Sequence, residues 1–442
     1  MTLQFSWVAS ANSAETDFPL NNLPYGVFST DGLEPRCGVA IGDMILDCRA
    51  AEEAGLIDLG TDPIFDVPFW NEVMEAGHDT WTTLRARLTE ILAKGSKDEV
   101  IAKDMLVPRA NVDLHMPFLV AEYTDFFASR QHAQNMGAIL RGAASLPANW
   151  LNIPIGYNGR ASSIVVSGTG VHRPNGQTKA PDAEMPSFGP SKRLDIELEM
   201  GAIVGKGSDL GQPITVDQAD EMIFGYVLLN DWSARDIQGW EYQPLGPFQG
   251  KAFCTTISPW IVTAAALEAF RAPTPARDFT LLPYLNGTKD GLYDIELEVL
   301  MQPEGAAKAS SIAKTNYNCM YYSAAEQLAH HASSGCAMTV GDLLGSGTIS
   351  GADRSEYGSL MELSWAGREP FTLDTGETRG FLEDGDTMTL RGTARGDGFN
   401  IGFGDCVGTL LPAVTWPKSK KPSVFEPQAK SQAAQRVAPR TM

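Results

Sequence analysis

Positive charge is scarce in this chain of 442 residues: 34 Lys and Arg face 54 Asp and Glu, for a formal net charge of −20. That imbalance excludes nucleic acid and anionic membrane surfaces as partners, and a dianionic substrate would need local cations to receive it. Cysteine is sparse too. The six residues Cys37, Cys48, Cys254, Cys319, Cys336 and Cys406 form no close pair, so neither a disulfide framework nor a zinc knuckle is expected, and a reducing compartment suits them. No uninterrupted apolar run approaches the ~18 residues of a membrane span. The opening MTLQFSWVASANSAETDFPL lacks the basic start and apolar centre of a signal peptide. The expectation is a soluble, cytoplasmic protein. Also missing are a Gly-x-Ser-x-Gly elbow, a His-Glu-x-x-His motif and a dinucleotide-binding glycine fingerprint, which leaves a serine hydrolase, a zinc protease and a nicotinamide dehydrogenase without support.

What is present is ordinary globular material, 43% hydrophobic and 20% charged, long enough for two or more domains. Residues 1–118 hold short extended runs, FPLNNLPYGVFS (18–29) and RCGVAIGDMILDCRA (36–50), that read as strands of a small barrel or sheet. Trp81, Leu84, Leu88 and Leu92 predict a helix beginning near Asp79, and the proline-bearing stretch 108–118 reads as a linker. Residues 119–416 contain many strand-like runs, such as 162–168, 196–205, 222–231 and 293–301, with short helices near 124–140, 216–223 and 322–333. The fold class is therefore mainly β with accessory helices. The last segment, 417–442, carries six basic residues and one acid with little hydrophobicity, and is expected to be a disordered basic tail.

The most informative run is Arg-Leu-Asp-Ile-Glu-Leu-Glu-Met at 193–200. Strict alternation predicts a strand with Leu194, Ile196, Leu198 and Met200 on one face and Asp195, Glu197 and Glu199 on the other. Three acids with same-face spacing of about 7 Å are either a solvated outer face or ligands for a hard cation such as Ca²⁺ or Mg²⁺.

Three further segments resemble site material. In Thr-Asp-Phe-Phe-Ala-Ser-Arg-Gln-His (124–132), Asp125 near a helix start suits a cap, and His132 is either structural or a general base. In the loop 230–251, Asp231 closes an apolar strand, and Arg235, Gln238, Tyr242 and Lys251 follow without a core pattern. That loop is either plain surface or a set of donors for an anion or developing oxyanion. The run Gly345–Gly351 is too short for a phosphate loop and serves a tight turn or the approach of a ligand. Beyond it, Glu362 sits in an apolar strand-like run, Leu360–Leu363, where an acid needs a partner.

Taken together these segments resemble the fumarylacetoacetate hydrolase family. FPLNNLPYGVFS, YTDFFASRQHA, NIPIGYNGRASSIVVSGT, LDIELEMG, NDWSARDIQGWEYQPLGPFQGKAF and GSGTISG occur in the family's order and spacing, and only 417–442 falls outside the resemblance. The resemblance implies a small SH3-like N-terminal barrel (1–118) and a larger catalytic β-roll or sandwich (119–416), assembled as a homodimer. It implies Asp125, Glu197, Glu199 and Asp231 as ligands of Ca²⁺ (or Mg²⁺), with a second cation, Mg²⁺, beside Asp231, Lys251 and Thr255. His132 would be the general base, oriented by Glu362. Arg235, Gln238 and Lys251 would offset charge, while Phe127, Arg141, Tyr157, Gln238, Tyr242 and Thr348 would contact substrate. Asp195 receives no role. The chain departs from the family at Phe127, where a tyrosine is usual.

The activity implied is hydrolysis of the carbon–carbon bond of a β-diketo acid, with 4-fumarylacetoacetate, the last intermediate of tyrosine and phenylalanine breakdown, as the leading substrate. An acylpyruvase-like hydrolase or a keto-diacid decarboxylase or isomerase on the same fold is the nearest alternative, although such relatives resemble mainly the larger domain. A non-catalytic metal-bearing protein is the alternative from another class.

Overall fold

The computed structural model describes residues 2–60 and 62–417; the expected tail, from residue 418 onward, lies outside the described residues. Near the N-terminus, Tyr25–Ser29 (β1), Arg36–Ile41 (β2) and Met44–Asp47 (β3) are the strands that the apolar runs predict. With Leu106–Pro108 (β4) and Asp113–His115 (β5) they form an antiparallel sheet in the order β4–β3–β2–β1–β5. No ladder joins β4 to β5 among the described residues, so the expected barrel is a half-barrel.

The stretch 108–118 is not a free linker. Its β5 pairs with β1 through Val27 and His115, and an edge strand of this length is too short to show alternation. The predicted helix runs His78–Leu92 (α1) and buries Leu84, Leu88, Ile91 and Leu92, an apolar stripe of helical period.

The larger part is built on an eight-stranded mixed sheet. Its path runs Gly156–Asn158 (β7), Tyr123–Phe126 (β6), Leu343–Gly345 (β14), Leu198–Val204 (β9), Ile223–Asp231 (β10), Thr255–Ile257 (β11), Ile164–Val166 (β8), and Val262–Thr263 pairs with β10. A six-stranded sheet packs over it, containing Glu296–Gln302 (β12), Ser310–Asn316 (β13), Thr387–Arg395 (β15) and Cys406–Leu411 (β16).

Period-two patterning gives the eight-stranded sheet two different faces. Leu198, Met200, Ala202 and Leu228 point toward the six-stranded sheet and share its core with Leu297, Val299 and Leu390. Ile203, Val227, Leu229, Ile257 and Leu343 point the other way, into a core shared with Tyr25, Val27, Trp70 and Leu84. Further along the same strands this second face turns polar. Glu199, Asp231, Asp125 and Thr255 keep step with Ile203, Leu229, Tyr123 and Ile257. The site is thus the continuation of the surface that docks the half-barrel.

Phe224 holds that docking together: its ring lies 5.1 Å edge-on from Trp81 and 5.8 Å from Tyr25. Phe224→Ala should cost about 3–5 kcal/mol, as expected for a large aromatic removed from a packed core. Equilibrium urea unfolding would show it as a lowered midpoint, and an unchanged midpoint would refute the docking role.

Candidate active site

Three arms converge at the polar end of this face. The first is built on the helix Arg130–Arg141 (α2), which begins at Ser129, whose hydroxyl accepts the His132 N–H at 3.3 Å. The residues before it, Tyr123–Phe126, are a strand parallel to β14, so Asp125 is a strand residue and not a helix cap. His132 therefore lies in the first turn of its helix and is buried. Its Nδ1 stands 2.7 Å from Glu362 Oε2, and its Nε2 is 3.8 Å from Glu197 Oε1.

Glu362 belongs to a four-residue helix, Leu360–Leu363 (α4), and not to a strand as its apolar neighbours suggest. Ser359 caps that turn, which is the cause of the change. Every other partner of Glu362 is a donor: Asn135 Nδ2 at 2.8 Å, Ser350 Oγ at 3.0 Å and Ser359 Oγ at 2.7 Å. Burial pushes its carboxyl up, but His132, Asn135 and Ser359 together hold it below the usual carboxylate range. An ionised Glu362 fixes the proton on His132 Nδ1 and leaves Nε2 with a free lone pair.

The second arm is cationic. Arg235 opens the helix Arg235–Glu241 (α3) and is buried. Its Nε donates to Asp195 at 2.8 Å, its Nη1 to Gln238 Oε1 at 3.3 Å, and its Nη2 lies 2.7 Å from Glu197 Oε1 without an aligned hydrogen bond. Lys251 Nζ donates to both Glu197 Oε2 and Asp231 Oδ2. Burial works against its charge, but Asp231, Glu197 and Asp125 prevail and keep it an ammonium. Burial likewise pushes Glu197 up, and Arg235, Lys251 and His132 overturn this and hold it well below its ordinary value.

The third arm is the group Asp125, Glu199 and Asp231, all buried, each with a carboxylate oxygen within 4.8 Å of the others. This overturns the solvated-face reading of the strand: Asp195 and Glu199 are 0% exposed and Glu197 5%. Burial pushes Asp125, Glu199 and Asp231 up, and for Glu199 the neighbouring carboxylates add to it. Such a group suits a cation. Oxygens bound to one Ca²⁺ at about 2.3–2.6 Å can stand up to about 5 Å apart. Glu199 Oε1 is moreover buried with no hydrogen-bond partner.

The glycine run makes room for this arm. A Cβ on Gly345 would stand 2.9 Å from both Glu199 Oε2 and the Tyr123 hydroxyl. Gly347, at φ +79°, donates its N–H to Glu199 Oε2 at 2.9 Å.

Not every expected residue arrives. Glu197 lies beside the three-carboxylate group, with its oxygens engaged by Lys251 and Arg235. Thr255 Oγ1 reaches Asp231 at 3.5 Å, but the Lys251 ammonium already sits on that carboxylate. Phe127 lies edge-on to the His132 ring at 5.3 Å. Tyr157 pairs across from Asp125 and, with Tyr123, Asp231, Phe248, Lys251 and Thr255, lines a cavity of about 230 Å³. Thr348 is buried with its hydroxyl unpartnered. Arg141 instead turns to its own helix end and donates to the Ser145 carbonyl at 2.5 Å, and Tyr242 is 43% exposed on its loop.

Asn135, Ser350, Ser359 and Asp195 are participants that sequence reasoning missed. Asn135 was findable as the residue one helical turn beyond His132, and Ser359 as a cap three before a glutamate. Ser350 offers no such signal. A larger cavity, about 680 Å³ between α1 and the larger part, contains none of these groups, and chemistry decides for the smaller one.

The chain matches the family described as "Fumarylacetoacetase N-terminal" over residues 21–117 and "Fumarylacetoacetate (FAA) hydrolase C-terminal" over 122–410. It is 47% identical over 408 residues to the fumarylacetoacetase of Homo sapiens, covering 90% of this chain and 97% of that one. Identity to the Arabidopsis thaliana fumarylacetoacetase is also 47%, over 409 residues, with 90% and 97% covered. Among solved structures, the fumarylacetoacetate hydrolase of Exiguobacterium antarcticum superimposes with a TM-score of 0.50 at 17% identity, over 88% of this chain and 99% of that one, a likeness of fold.

Two predictions follow from the carboxylates. Without a cation, the folded protein holds protons that an unfolded chain would release near pH ~4. Its stability therefore falls as pH rises through the raised values of Asp125, Glu199 and Asp231. A bound dication removes that loss, so melting temperatures with Ca²⁺ and with chelator should diverge progressively as pH rises above the ordinary carboxylate range of ~4, with protons released on Ca²⁺ addition. A constant gap would refute this. Gly345→Ala should weaken Ca²⁺ binding by about tenfold or more in calorimetry while the fold survives, because the new methyl presses on Glu199.

Proposed function

Because the chain belongs to the fumarylacetoacetase family, we propose that it hydrolyses 4-fumarylacetoacetate to fumarate and acetoacetate, a carbon–carbon bond cleavage in tyrosine and phenylalanine breakdown. The observation that carries this reading is the buried His132–Glu362 pair, aimed past Glu197 toward a group of carboxylates able to hold a cation. In this reading Asp125, Glu199 and Asp231 would hold the ion, with Glu197 at its edge on Lys251 and Arg235, and an all-oxygen donor set without histidine favours Ca²⁺ over softer metals. When bound, the ion supplies Lewis-acid polarisation of the substrate's keto oxygens.

The chain's own residues do the rest. His132 Nε2 takes a proton from the attacking water, and Glu362 holds the Nδ1–H and stabilises the imidazolium that forms. The water oxygen adds to the carbonyl carbon on the fumaroyl side, giving a tetrahedral oxyanion. The carbon–carbon bond then breaks, its electron pair leaves with the acetoacetate fragment as an enolate, and the proton held on His132 passes to that carbon, which completes the products and regenerates the base. Arg235 Nη2, 2.7 Å from Glu197 Oε1, keeps a buried positive charge beside the site, where it offsets developing negative charge. Gln238 accepts from Arg235 through its oxygen, which leaves its amide N–H groups for substrate. Lys251 stays charged throughout, between Glu197 and Asp231.

Two coarser points complete the reading. No described helix is long and apolar enough to cross a membrane, and we place the protein in the cytoplasm. We also propose a homodimer, for which the exposed side chains of Trp240, Leu245, Phe248 and Trp416 offer apolar surface.

Following loss of the diketone absorbance tests the reading. His132→Ala should lower turnover by about 10²–10⁴-fold with the fold intact, and full activity in that variant would sink the base assignment. Phe127→Tyr restores one hydroxyl beside His132, and a hydrogen bond worth about 0.5–1.5 kcal/mol should lower KM roughly two- to tenfold with kcat little changed. A KM that stays put would place the ring away from substrate.

A further inference from the structure

The third acid of the alternating strand is fully buried and touches neither the cation-binding group nor the cavity. Asp195 instead meets four donors. Its Oδ1 accepts the N–H of Leu360 at 2.7 Å and of Ile196 at 2.8 Å, and its Oδ2 accepts the N–H of Met361 at 2.9 Å and Arg235 Nε at 2.8 Å. Leu360 and Met361 open the turn that presents Glu362, and Glu362 orients His132. Arg235 carries Gln238 and Glu197 on its other nitrogens. One carboxylate therefore ties the base–orienter pair to the guanidinium that faces the reacting charge. Only a carboxylate can do this, because all four partners donate, and an amide would turn its own N–H groups against two of them.

We propose that Asp195 is the positioning residue that locks the Glu362 turn and the Arg235 guanidinium into one geometry. The proposal rests on the hydrolase reading above for its kinetic consequence. A purely structural Asp195 would stabilise the fold without favouring either kinetic constant. A positioning Asp195 acts on the transition state, because small displacements of Glu362 and Arg235 degrade proton transfer and charge stabilisation more than ground-state binding.

The test compares the wild-type chain with Asp195→Asn in the Ca²⁺-loaded state. kcat should fall roughly 10–100-fold, the usual loss when a partner of a site residue is removed, while KM stays within about threefold. In a Glu362→Gln background the same change should cost less than it does in the wild-type chain, since the turn it positions no longer carries a carboxylate and only its hold on Arg235 remains. A second readout needs no substrate. The proton on His132 Nδ1 should give a downfield magnetic-resonance signal, identified by its loss in Glu362→Gln, that shifts or broadens in Asp195→Asn. A wild-type chain that fails to hydrolyse fumarylacetoacetate would overturn the hydrolase reading and leave this signal test standing.

Asp195→Ser, smaller and unable to overpack, is the companion variant, and the same kcat-selective loss is required of whichever variant folds. Unchanged kcat, losses that multiply fully with Glu362→Gln, or an unmoved resonance would each overturn the proposal. Failure of both variants to fold would make Asp195 a determinant of the fold and overturn it too.

Discussion

Mutual repulsion among buried carboxylates is the constraint around which this molecule is arranged. Asp125, Glu199 and Asp231 crowd into one buried pocket, and Glu197 and Asp195 precede Glu199 along the chain, Glu197 bridging to Ser359 and Asp195 in a separate short strand paired with Ser233. Buried anions so close cannot all ionise unless positive charge is supplied. The chain supplies part of it. Arg235 is shared between Asp195 and Glu197, and Lys251 between Glu197 and Asp231. Two fixed cations cannot neutralise five acids, and Asp125 and Glu199 have no basic side chain of their own. That shortfall is what a bound cation would make good, and the three carboxylates could hold one.

The two faces of the eight-stranded sheet divide the work. One face is apolar along most of its length, with Asn230 and Thr256 at its polar end, and packs on the six-stranded sheet. The other begins as the docking surface of the half-barrel and ends as the acidic site, so precision in the chemistry is inherited from packing at the far end of the same strands. Sites carried on strands hold their geometry better than sites on loops. Here the acids are on strands, while His132, Arg235 and Glu362 each sit in the first turn of a helix.

Much of this was legible in the residues. The alternation at 193–200 announced both faces, and the helix of residues 78–92 followed from its apolar stripe. The family's motif order added the pairing of His132 with Glu362. Local pattern failed where a short element obeys a distant partner. Leu360–Leu363 looks like a strand because its apolar run outweighs the Ser359 cap and nothing nearby reveals the Asp195 carboxylate that accepts its first N–H groups. Asp125 looks like a cap because its strand is defined by a parallel neighbour more than 200 residues away. Asp195 appeared idle for the same reason: three of its four donors come from residues 235, 360 and 361. Arg141 and Tyr242 were carried over by resemblance, and the positions of their side chains here follow from a helix end and an exposed loop.

The separation of His132 from Glu362, 230 residues along the chain, has a consequence for synthesis. As the polypeptide emerges, the residues Glu197, Glu199, Arg235 and Lys251 are synthesised long before β14 and the Glu362 turn exist. Until then Asp125 has no parallel neighbour, Glu199 has no N–H from Gly347, and His132 has no anion behind it. Pairings of such long range close late and slowly. A nascent or truncated chain that stops short of β14 therefore carries the acids without the Gly347 N–H and the Glu362 carboxylate that the assembled site gives them.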